Sequence, residues 1–211
     1  MSASADLAKL LRTVVAAKHD LGFRWSSWLV SAPGIEGRIA LAGMALEEEG
    51  HARVLEGFLT TDLNDPPVDR DALVRWDTWP GADRPARSEH SWPEALAQCF
   101  VLDAAITALL RVLALAIRPR LAQRAAQMVR EERFHHVFAV ESLKSLAPNA
   151  QALDQLIQAA RTDARARIDL VSLQDLASAG ELPPEAPRLY EGYLDEIGRL
   201  QAAIATEAQL A

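Results

Sequence analysis

The sequence predicts an all-α protein: a four-helix bundle with additional C-terminal helices. Three observations lead there. Half of the 211 residues are hydrophobic, with many Ala and Leu and few Gly, a composition that favours helices over sheets. Four long segments carry apolar residues at alternating steps of three and four, the stripe of an amphipathic helix. Each stripe is interrupted near its middle by ionisable residues, and facing helices of a bundle would bring these together.

The first helix is expected from about Ala5 to Ser31, ended by the breaker Ala32-Pro33-Gly34. Its stripe is Leu7, Leu11, Val14, Lys18, Leu21, Trp25 and Trp28. The second runs from about Ile35 to Thr61 with the stripe Leu41, Met44, Glu48, His51, Leu55 and Phe58. Glu47, Glu49 and Arg53 fall off that stripe and are expected in solvent. Residues 68–91 contain Pro80, Gly81 and Pro85 and read as a crossover, with a short helix near Asp69–Trp79. Ser91 is the N-cap of the third helix and Glu94 completes a capping box. That helix ends before Pro119, with the stripe Leu96, Cys99, Asp103, Ile106, Leu110, Leu113 and Ile117. The fourth runs to about Leu146 with the stripe Leu121, Ala125, Met128, Glu132, His135, Ala139 and Leu143. Pro148-Asn149 marks a turn, a fifth helix reaches about Ala179, Pro183-Pro184 breaks it, and a sixth covers about Glu185 to Gln209. Two long helices, a longer crossover and two more long helices is the ferritin-like order. One ferritin-like helical domain is expected over residues 1–211, with the core bundle at about 5–146 and the extra helices at about 149–209.

The net charge of −7 and the absence of a Lys/Arg cluster argue against a nucleic-acid partner. Cys99 is the only cysteine, which excludes an intrachain disulfide and a zinc–cysteine site. No run approaches 18 uninterrupted apolar residues, so no membrane span is expected. The N-terminus lacks the pattern of a signal peptide, and a cytoplasmic location is expected.

The interruptions carry the chemistry. Glu48 with His51, and Glu132 with His135, are two copies of Glu-x-x-His. Residues three apart share a helix face. A single copy is most often a solvated face; two copies in register with their stripes, joined by Asp103, point to a metal centre. Buried carboxylates cost several kcal/mol each unless they meet cations or protons. His nitrogen with carboxylate oxygen suits iron, manganese or zinc rather than calcium or magnesium. Lys18 could snorkel to the surface, but its place opposite three carboxylates favours an ion pair. His19, Asp20, His90 and His136 lie off the stripes and are given no role. Cys99 is expected to pack in the core.

At these residues the chain resembles a known family. The stretches Leu21-Gly22-Phe23-Arg24-Trp25-Ser26-Ser27-Trp28, Ala45-Leu46-Glu47-Glu48-Glu49-Gly50-His51-Ala52-Arg53, Gln98-Cys99-Phe100-Val101-Leu102-Asp103-Ala104 and Glu131-Glu132-Arg133-Phe134-His135-His136 are similar to the ferritin-like phenylacetyl-CoA epoxidase subunits. The similarity covers roughly residues 15–146. One subunit of that family is a catalytic di-iron protein and another a related non-catalytic partner. The surroundings of the first motif look closer to the partner; the retained histidines look closer to the catalytic subunit. The resemblance implies metal ligands at Glu48, His51, Asp103, Glu132 and His135. It also implies a carboxylate on the first helix, and that position falls on Lys18. Three carboxylates and one ammonium carry −2, the charge one divalent ion balances.

Two functions are therefore expected in competition. One is a monooxygenase-like oxidoreductase of phenylacetate catabolism, holding one or two iron ions (or manganese) and oxidising a CoA-thioester-like substrate with O₂, its chemistry modulated by Lys18. The other is a non-catalytic partner subunit with a degenerate site and no metal. In either case a homodimer, or a heterodimer with a related ferritin-like subunit, is expected. Tyr190 and Tyr193 lie in the sixth helix, away from a radical role. Trp76 and Trp79 could cover a substrate mouth or a partner surface.

Overall fold

Each apolar stripe becomes the buried side of a helix. The computed structural model describes residues 3–69, 91–146, 150–167 and 171–210, and among them every regular element is an α-helix. In chain order these are α1 (Ala3–Ser27), α2 (Ile35–Asp62), α3 (Trp92–Leu113), α4 (Pro119–Glu131), α5 (Arg133–Leu146), α6 (Ala150–Arg167), α7 (Val171–Ser178) and α8 (Ala186–Leu210). The architecture is the expected all-α, ferritin-like bundle with extra C-terminal helices.

Local chemistry sets the boundaries. α1 stops four residues earlier than expected, because the hydroxyls of Ser26 and Ser27 donate to the carbonyls of Phe23 and Arg24 at 2.7 and 2.8 Å. Those hydroxyls compete with the helical ladder, and the chain continues in tight turns such as Ser31 N–H to Trp28 O at 3.1 Å. Gly34 then takes φ 70°, ψ 156° before α2, a backbone region that only glycine enters cheaply. At the other end of α2, Asn64 adopts φ 52°, and Asp65 N–H donates to Leu59 O at 2.9 Å. Ser91 caps α3 by accepting from Glu94 N–H at 3.4 Å. α3 ends at Leu113, so Ile117 lies beyond it and is 65 % exposed; it does not belong to the core stripe. The single fourth helix expected from Pro119 is divided at Glu132 into α4 and α5. The hydrogen bonds nevertheless run through, from Glu132 N–H to Met128 O (2.9 Å) and from His136 N–H to Glu132 O (3.1 Å). The fifth expected helix corresponds to α6 and α7, described on either side of residues 168–170. From residue 70 onward the crossover, with Trp76, Trp79 and His90, lies outside the described residues, as does the Pro148-Asn149 turn.

α1 and α2 pack along each other as a hairpin, and α3 packs against α1, α4, α5, α6 and α8. That central position explains its apolar composition. Among the described residues, α3 alone is long and apolar enough to cross a membrane, and 83 % of the apolar window is buried within the protein. The stripe residues Leu11, Val14, Leu21, Leu41, Met44, Leu55, Leu110 and Leu143 are fully buried. Each such side chain contributes about 1.5–3 kcal/mol. This surplus lets the bundle hold charged groups at its centre. Arg118 donates to both oxygens of Glu181 (2.9 and 2.8 Å), and Ile117 N–H donates to Glu181 O (3.1 Å). These bonds pin the loop before α8 to the turn between α3 and α4.

Candidate metal centre

Lys18 from α1, Glu48 and His51 from α2, Asp103 from α3, Glu132 from the α4–α5 junction and His135 from α5 meet at mid-bundle. None of the six is more than 7 % exposed, which rules out solvated helix faces and a snorkelling Lys18. The Lys18 ammonium lies 2.8 Å from Glu48 Oε2 and 3.6 Å from Asp103 Oδ1, and it donates to Glu132 Oε1. The two histidines aim Nδ1 at the same carboxylates. His51 Nδ1 lies 2.9 Å from Glu132 Oε1. His135 Nδ1 lies 2.8 Å from Glu132 Oε2 and 3.2 Å from Glu48 Oε1.

The outer nitrogens are also held, and crosswise. His51 Nε2 pairs with Glu131 Oε2 at 2.8 Å, and His135 Nε2 with Glu47 Oε2 at 2.9 Å. The carboxylate that precedes each Glu-x-x-His thus reaches the histidine of the other copy. Such outer carboxylates fix ring orientation and tautomer. Sequence reading missed both. Glu47, expected in solvent, is half exposed but bound to His135, and Glu49 pairs with His19 Nδ1 at 2.9 Å. The signal was present as a shared Glu-Glu-x-x-His, residues 47–51 and 131–135.

The charges are arranged to cancel. Burial disfavours a charged Lys18, but Glu132, Glu48 and Asp103 outweigh it and raise the pKa above the ordinary lysine range. For His135 burial likewise opposes charge, and the hydrogen bonds to Glu132 and Glu48 push the pKa up to about 11. His51 is raised by its bonds to Glu132 and Glu131 against burial and the nearby Lys18 charge. Glu132 sits well below the usual carboxylate range, because Lys18 and the two histidines overcome burial. Asp103 sits well above it, through burial and the adjacent Glu132 charge. Lys18 and His135 are thus held toward their charged forms beside Glu132, while burial and the Glu132 charge hold Asp103 toward its neutral form.

Four of these donors converge. One ligand atom from each of Glu48, Asp103, Glu132 and His135 lies within 4.8 Å of the others, and Asp103 Oδ1 has no hydrogen-bond partner. Carboxylate oxygens with one imidazole nitrogen suit iron, manganese or zinc. These residues fit one ion. The Lys18 ammonium from α1 already engages oxygens of Glu48 and Glu132 within this set. His51 falls outside the convergent set. A cleft of about 320 Å³ between α3, the α4–α5 junction and α8 touches Asp103 and Glu132; Arg111, stacked 5.0 Å over the Tyr193 ring, and His136 also line it.

A family model described as phenylacetic acid catabolic protein matches residues 2–164, a span that includes all six residues of the centre. No curated protein matches the chain.

Proposed function

The chain belongs to the phenylacetic acid catabolic protein family, and from that premise we propose that it is a non-catalytic subunit partnering a metal-bearing relative in an oxygenase-type assembly. Proteins of this family act in multi-subunit complexes. The observation that carries the reading is Lys18. Its fully buried ammonium lies among Glu48, Asp103 and Glu132 and supplies the positive charge that metal would bring. Removing both metals from a four-carboxylate centre would leave unpaired buried charge, which destabilises strongly. One lysine in place of the first-helix carboxylate removes a negative charge and adds a positive one. The bundle can then fold and present its surface without loading metal. The lone buried Cys99 and the catabolic family support a cytoplasmic location.

A second reading rests on the converging donors. Glu48, Asp103, Glu132 and His135 would hold a single iron or manganese ion, which when bound would supply redox and Lewis-acid chemistry toward O₂ and a CoA-thioester-like substrate entering by the cleft. In that case Glu47 orients His135 for the ion, and Lys18 offsets the remaining carboxylate charge.

Elemental analysis after expression in iron-rich medium separates the readings. The wild-type chain is expected to carry well under one ion per chain, and Lys18→Glu, which restores the missing carboxylate, is expected to gain iron. One firmly held ion in the wild type would favour the second reading. Two would overturn both.

A further inference from the structure

The cleft beside the centre is walled by three helices. One face of α3 supplies Ala104, Thr107, Ala108 and Arg111, spaced at i, i+3, i+4 and i+7. One face of α4 and α5 supplies Val129, Arg133, His136 and Val137 with the same helical period, and Tyr193 of α8 closes the third side. The small side chains of Ala104 and Ala108 leave the hollow open. At about 320 Å³ it lies at the small end of ligand pockets and has room for on the order of ten non-hydrogen atoms. Arg111 is the charge on α3 that the centre does not use. That helix carries three charged residues: Glu94 in its first turn, Asp103 in the centre and Arg111 in its last turn. The helix dipole favours a basic residue there, but an exposed lysine would serve that need equally. Arg111 is instead half-buried and laid over the Tyr193 ring at 5.0 Å. Stacking engages the face of a guanidinium and fixes its plane, while its N–H donors point outward within that plane.

We propose that this cleft binds a small organic monocarboxylate, its carboxylate on the edge of the Arg111 guanidinium and its short apolar body along Ala104, Ala108, Val129 and Val137. The fork of an arginine matches the two oxygens of a carboxylate. The aliphatic walls select the body, since each methylene buried there contributes about 0.8 kcal/mol, a gain that inorganic phosphate does not have. Arg133, exposed at the rim, adds a local positive field that draws an anion to a chain of net charge −7. The carboxylates at the floor do not cancel that field. Asp103 and Glu132 both lie beside the Lys18 ammonium, and Glu132 also meets both histidines. Hexanoate fits the volume. A nucleotide-bearing thioester of the same acid does not, and thioester formation removes the anionic group that Arg111 recognises. The site stands apart from the metal content of the centre, so its failure would leave both readings of the centre in place.

The test is an NMR titration of the full chain with sodium hexanoate, expected to bind with a Kd on the order of 0.1–1 mM. Arg111→Met should weaken binding by about tenfold or more with an unchanged far-ultraviolet helix signal. Arg111→Lys, which keeps the charge and loses the fork, should also weaken it. Val129→Phe leaves Arg111 in place and narrows the hollow; it should weaken binding as well, and it decides the matter if Arg111→Met does not fold. Inorganic phosphate and hexylamine should each bind at least about tenfold more weakly than hexanoate. The proposal fails if hexanoate does not bind at about 10 mM, or if its binding is indifferent to Arg111→Met or to Val129→Phe. It fails equally if phosphate or hexylamine binds as tightly as hexanoate, or if hexanoyl-CoA displaces hexanoate at lower concentration than hexanoate itself requires.

Discussion

Lys18 enters the core on the same stripe as Leu11, Val14 and Leu21, so its stem is buried with theirs while its ammonium lies among the side chains of Glu48, Asp103 and Glu132. Removing the charge while keeping an unbranched stem isolates the ionic contribution. Lys18→Met should lose about 3–5 kcal/mol of stability, the usual cost of leaving buried partners uncompensated; urea denaturation at pH 7 measures it. Cys99, one turn before Asp103, gives a pH signature away from the ion pairs. Burial pushes its thiol up to about 12 from an ordinary 9.0. The unfolded chain therefore ionises first as pH rises. Stability linked to this thiol is intact below about pH 9 and is lost toward pH 12, by at most about 1.4 kcal/mol per pH unit. Wild type should lose stability faster than Cys99→Ala between pH 9 and 11, and the native thiol should resist alkylation at pH 8. Equal slopes for the two proteins would contradict this. The six central residues were legible because helical periodicity alone turns them inward. Glu47 and Glu131 were not, because a stripe assigns a residue by angle and ignores the reach of its side chain. Both sit at the edge of their stripes and extend to a histidine on the neighbouring helix.

At the scale of elements, the helices that the sequence ends with strong local signals end there. Pro33-Gly34, Ser91 and Pro183-Pro184 all bound helices close to where expected. Gly34 is the sharpest case, since φ 70° with ψ 156° excludes a side chain without strain. Gly34→Ala should cost about 1–3 kcal/mol, seen as a lower urea midpoint with an unchanged far-ultraviolet helix signal. Two boundaries had weaker signals. The end of α1 is set by two serine hydroxyls bonding back to carbonyls, which a hydrophobic count does not register. The division between α4 and α5 has neither proline nor glycine nearby. It falls on Glu132, whose side chain takes bonds from Lys18, His51 and His135 at once. Concentrated tertiary contact, rather than any local breaker, coincides with that irregular residue.

For the whole molecule, the pattern of two helices, a crossover and two helices specified the bundle and left its closure open. Helices α6 and α8 pack on α3, and Arg118 with Glu181, 63 residues apart, joins the last loop to the bundle. No spacing in the chain announces that pair, because each residue alone reads as an ordinary surface charge. By itself, the sequence determined the fold class, the helix order and the inward set Lys18, Glu48, His51, Asp103, Glu132 and His135. Each of these follows from local periodicity and residue chemistry. The tertiary structure alone decided which atoms meet: one ammonium among three carboxylates, two histidines clamped crosswise, and four donor atoms within 4.8 Å of one another. Those pairings join residues up to 114 positions apart, and no local rule constrains distances of a few ångströms between separate helices.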